Sequence, residues 1–176
     1  RRAKMIRQFI SYPLQFILLV IIQVLVLNNI QFSGFVNPFL YILFILWLPI
    51  ETPKWLVLIL SLFIGLVVDI FSDTLGMHTS ASIFLGFCRP YILQGLAPRD
   101  GYELNQKPSI QDLGFSWFVA YSSMCVLIHH IFLFFVEVFR FSEPFSTLGR
   151  SLASAFFTLI LILITQFFYY NAEGRK

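Results

Sequence analysis

Residues 8–50 carry no charge. A helix crosses hydrocarbon in about 20 residues, so this run holds more than one crossing. Its one interruption, NNIQFSG at 28–34, is rich in polar turn formers. The pattern therefore predicts a first span at about 9–28 and a short second span at about 37–50. Pro49, Glu51, Thr52 and Pro53 make a tight turn, and Lys54 with Trp55 reads as an interface anchor that opens a third span at about 54–71. The polar stretch 72–78 closes that span, and a fourth covers about 79–96. Residues 97–113 form a polar loop with Pro98, Gly101 and Pro108. A fifth span at about 113–138 ends in Glu137, Arg140, Glu143 and Pro144, and a sixth at about 150–170 leads into a polar tail. No run alternates in the way a barrel strand requires. The expected fold is a single all-α integral membrane domain of six transmembrane helices over residues 1–176.

Composition strengthens this expectation. The chain is 58% hydrophobic and 12% charged, against about 25% charged residues in soluble domains. A chain this small would still have much surface to solvate, a conflict that a bilayer removes. With the N-terminus inside, every Lys and Arg except Arg140 and Arg150 falls on an inner segment, which by the positive-inside rule places both termini in the cytoplasm. The first apolar run follows Arg1, Arg2, Lys4 and Arg7 but has no small-residue cleavage site after it, so it reads as a span rather than a cleaved leader. The chain opens on Arg1, and Met5 is a candidate start. A clustered basic face for nucleic acid is missing. Cys88 and Cys125 lie far apart in apolar runs, with no CxxC and no His at metal spacing, so neither a metal nor another cofactor is expected. No P-loop, GxSxG or HExxH is present, so nothing points to an enzyme.

A few polar residues interrupt the spans. Asp69 sits late in the third, where a carboxylate is costly and is usually paired or functional. Gly65 shares its face four residues earlier and lets a helix approach closely. The plainer reading makes Asp69 a marker of the membrane boundary. His129 and His130 lie in the middle of the fifth span, with Glu137 seven residues after His130 and pointing the same way. Adjacent residues are about 100° apart on a helix, so one histidine is expected to face the bundle, as part of a polar core rather than a metal site. Arg89 is expected to snorkel to the cytoplasmic interface, and His78 to be solvated in an outer turn. Ser151, Ser154, Ala155 and Thr158 give the small-residue spacings of close helix packing.

The segment 65–78, GLVVDIFSDTLGMH, resembles the rod shape-determining protein MreD family, with Gly65, Asp69, Leu75 and Gly76 matching its G-x-x-x-D, then L-G, pattern. The His129–His130 pair with Glu137 is similar to versions in that family. The resemblance implies a six-helix fold like the S component of energy-coupling-factor transporters. It also implies a non-catalytic scaffold of the bacterial cell-elongation and peptidoglycan-synthesis machinery, in the cytoplasmic membrane. The implied partner is an MreC-like membrane-anchored periplasmic protein, met through Gly65, Asp69, Leu75 and Gly76, with an MreB-like filament protein and the peptidoglycan synthase complex nearby. Two other classes compete. A small-solute (vitamin or metal) carrier subunit would need a midplane cavity lined by His129, His130 and Asp69. An enzyme acting on lipid would rest on Arg89, Arg99 and Asp100.

Overall fold

The computed structural model describes residues 2–29, 36–104, 106–138 and 144–173. Among these residues the chain is helical, without strands. Helix α1 (Arg2–Ile21) runs on through a π turn (Ile22–Val26) into a 3-10 turn (Leu27–Asn29). Further on, after the non-helical residues 36–39, come a 3-10 turn (Leu40–Ile42) and the short α2 (Leu43–Trp47). Helices α3 (Lys54–Ser72) and α4 (Met77–Gly95) form a tight hairpin. The four-residue α5 (Ile110–Leu113) leads into α6 (Phe115–Val138), and α7 (Pro144–Glu173) completes the bundle. Pro144 stands at the start of α7, where its missing N–H costs nothing.

Among the described residues, four helical stretches are long and apolar enough to cross a membrane: Ser11–Asn29, Lys54–Ser72, Phe115–Glu137 and Pro144–Tyr169. The expected second and fourth spans differ from these for separate reasons. The helical part of 37–50 is only Leu40–Ile42 and Leu43–Trp47, because this segment lies inside the bundle and residues 40–46 are all buried. Helix α4 has the length of a span, but its inward face carries His78, Ser82 and Arg89, all buried.

Irregular backbone in a buried segment needs partners for its polar groups, and side chains from α1, α4, α6 and α7 supply them here. Gln23 lies in the π turn of α1 and is wholly buried. Its carbonyl accepts the N–H of Leu40 at 2.8 Å, and its amide donates to Pro38 O at 3.2 Å and to Asn28 at 2.9 Å. From α7, the Ser154 hydroxyl accepts Asn37 N–H and the Thr158 hydroxyl accepts Phe39 N–H, each at 3.0 Å. At the other end of α2, Arg89 of α4 donates to Leu48 O and, at 3.5 Å, to Pro49 O. Its Nε donates to the Tyr121 hydroxyl at 2.8 Å, which passes its own proton to Leu46 O at 3.2 Å. A cation thus sits at the negative end of α2, where the helix dipole favours it. Arg89 is 1% exposed. The snorkelling expected of it is therefore corrected: the carbonyls at the end of α2 hold it inside.

Candidate functional site

Helices α3 and α4 meet along a stripe of small residues. A Cβ on Gly65 would stand 2.5 Å from Thr79 Cα and 2.8 Å from His78 O, and one on Gly86 would stand 2.5 Å from Ser61 Oγ. Ser61, Gly65 and Asp69 follow at four-residue intervals on one face, which is why this seam can close. At its end, Asp69 is 4% exposed. One of its oxygens accepts Thr74 Oγ1 at 2.5 Å and His78 N at 3.0 Å; the other accepts Thr79 N at 2.8 Å and Thr79 Oγ1 at 2.5 Å. The carboxylate caps the first turn of α4 from the neighbouring helix, at the positive end of that helix's dipole. The boundary reading of Asp69 therefore gives way to a buried, fully partnered group.

This cap shapes the turn between the helices. Asp73 adopts a left-handed conformation (φ 53°) and Gly76 another (φ 81°), and Thr74 N–H returns to Asp69 O at 3.1 Å. Between them Leu75 projects with 102% relative exposure. Of the four residues matched in the family pattern, Gly65 and Asp69 thus face α4, Gly76 supplies the turn and Leu75 points away from the fold.

Beneath the turn lies a polar core centred on Phe39 and Tyr41. The Tyr41 hydroxyl is 2.7 Å from His129 Nε2 and 3.1 Å from His78 Nδ1. One hydroxyl proton cannot serve both contacts, so one ring nitrogen accepts it and the other donates its own N–H to the oxygen. His130 places Nδ1 2.9 Å from Val126 O and Nε2 2.9 Å from the Thr158 hydroxyl. The Phe39 ring touches all three imidazoles, with centroid separations of 5.0 Å to His78, 6.3 Å to His129 and 5.4 Å to His130. His129 Nδ1 is buried without a hydrogen-bond partner.

Three expectations are corrected here. Both members of the histidine pair are buried, not one, because the bundle wraps α6 on two sides: Tyr41 takes His129 and α7 takes His130. His78 is buried rather than solvated, since α4 begins at Met77 and draws it under the turn. Glu137 does share the His130 side of α6, but two turns further on it has left the polar core; it is exposed at the rim, with a 3.5 Å ion pair to Arg150. Tyr41, Gln23 and Phe39, which organise the interior, lie in apolar or turn-flanking sequence and carry no motif that marks them.

A cleft of about 360 Å³ opens beside this core. His78, Phe39, Asn28, Asn37 and Glu137 are among its lining residues, whereas Asp69, His129 and His130 are not. Among the described residues no group of three or more His, Cys, Asp or Glu is placed to hold a metal ion. Comparison with known proteins finds no protein family, no curated protein and no solved structure that matches the chain.

Proposed function

We propose that this chain is a non-catalytic membrane scaffold of the bacterial cell-elongation machinery, in keeping with the MreD-like segment 65–78, and that it docks an MreC-like partner at the α3–α4 turn. Leu75 carries the reading. A fully exposed leucine on a turn braced by four hydrogen bonds to the Asp69 carboxylate serves no packing role within the fold, and a braced apolar knob is what a docking partner can bury. The inward polar groups support the same reading, since most are taken up in holding the fold rather than aimed at a reactant.

The proposed topology has six crossings, both termini cytoplasmic, with a fold like the S component. The segment 36–50 crosses in this scheme without being a full helix. Eight helical residues at about 1.5 Å each and seven non-helical ones at up to about 3.3 Å each give it a reach of at most about 35 Å, enough for the roughly 30 Å of hydrocarbon. The test is a mild-detergent pull-down of the tagged chain from native membranes. The wild type should recover a single-span protein with a periplasmic coiled coil. Leu75→Ser should recover at least about tenfold less, a loss of about 1.4 kcal/mol or more, with its own melting unchanged. Equal recovery by Leu75→Ser overturns the proposal. A vitamin or metal co-purifying with the chain would instead support the small-solute carrier reading, although the cleft beside His78 is not lined by the His129, His130 and Asp69 which that reading requires.

A further inference from the structure

An open apolar groove of about 380 Å³ runs along the contact of α4 and α6, lined by Cys88, Tyr91, Ile92, Gly95, Met124 and Ile128. Polar and aromatic groups gather beside one end of it. There Lys54 Nζ stands 5.5 Å from the centroid of the Tyr91 ring, and Trp117 Nε1 donates to Leu96 O at 2.8 Å. Tyr102 packs edge-on against Trp117, and Trp55, 63% exposed, follows Lys54 on α3. Such a gathering of aromatics with a cation marks the headgroup level of a bilayer.

We infer that this groove holds one acyl chain of an anionic phospholipid, with the headgroup phosphate against Lys54. From Cys88 to Leu96 the helix rises about 12 Å, close to the hydrocarbon depth of one leaflet, about 15 Å. A partner helix would need a seam continuing through both leaflets, and the residues of α4 that line this groove, Cys88 to Leu96, span only about two turns. A Cβ on Gly95 would meet nothing within 4 Å, so the floor is open and no neighbour of this chain fills it. The ammonium at the mouth selects the charge: a cation at the membrane surface attracts anionic lipid, and the Tyr91 ring holds it in place.

The test is native mass spectrometry of the full chain, released from mild detergent after mixing with equal amounts of dioleoyl phosphatidylglycerol and dioleoyl phosphatidylcholine. The wild type should keep one phosphatidylglycerol about tenfold more often than phosphatidylcholine. Lys54→Gln should make the two equal, and Gly95→Leu should remove both while leaving the melting temperature at or above the wild type. Met124→Trp, which fills the groove from α6, should repeat the Gly95→Leu result and covers the case in which that variant misfolds. Equal retention of the two lipids by the wild type, or unchanged adducts in both groove-filling variants, overturns the inference. So does a lipid-free dimer that Gly95→Leu dissociates, which would give the groove to a second copy of the chain.

Discussion

Asp69 shows how a buried carboxylate can be at rest in a membrane helix. Its two oxygens receive two backbone N–H groups and two hydroxyls, all from residues 74–79. An Asn in its place keeps the size but turns an NH2 toward one pair of those donors. Asp69→Asn should therefore lower stability by about 2–3 kcal/mol, read as an earlier midpoint when the purified protein is titrated with sodium dodecyl sulfate. An unchanged midpoint would mean that solvent or lipid already serves those donors. Arg89 is the opposite charge in the opposite role, since it serves acceptors at the end of α2. Arg89→Met leaves the Leu48 and Pro49 carbonyls without their donor in the interior, a loss of about 3 kcal/mol. Arg89→Lys should recover less than half of that loss, because a single ammonium cannot span both the Tyr121 hydroxyl and the carbonyls that the guanidinium fork reaches. The same titration checks both variants.

The α3–α4 hairpin depends on absent side chains as much as on present ones. Gly65→Ala puts a methyl group against the backbone of Thr79, where nothing flexible can yield, and should cost about 1–3 kcal/mol. Gly95→Ala, in the same hairpin but facing open space, should instead stabilise by about 0.5–1 kcal/mol through helix propensity alone. Comparing the melting of the two variants separates steric demand from propensity, and equal effects would contradict the seam. Much of this element was legible beforehand. Gly65 and Asp69 at a four-residue spacing point to a helix seam, and the polar run after residue 71 points to its turn. The partner across the seam was not legible, because periodicity says which face is special and not what it meets. Arg89 and His78 were misplaced for a related reason. Each sits toward a helix end in sequence, where snorkelling or solvation is the usual outcome, and only the tertiary path of 36–50 brings hydrogen-bond partners to them. Tyr41 could not be singled out among so many aromatic residues in apolar runs.

For the molecule as a whole, the long apolar runs announced α1, α3, α6 and α7 because hydropathy over about 20 residues is a strong signal. The interior segment was legible only as a span too short to be ordinary. The proposed six-crossing topology can be checked. Cysteines introduced singly at Leu75 and at Asp100 should react with a membrane-impermeant thiol reagent from opposite sides of the membrane. Native Cys125 is buried and Cys88 only partly open, so the background from them should be low. Labelling of both new sites from one side would refute the six-crossing path.

The way residues 36–50 are held also sets an order of events at the ribosome. Gln23 is synthesised before this segment, but Arg89 comes about forty residues after Leu48 and Thr158 well over a hundred after Phe39. Until α7 is made, the N–H groups of Asn37 and Phe39 have no side chain to accept them, and each such group in hydrocarbon costs several kcal/mol. The nascent segment should therefore wait in the interface or in the insertion machinery and enter the bundle last, although it is among the first to be translated. A chain stopped after α6 would carry that debt unresolved, and a membrane protease would find there, early in the sequence, its place to begin.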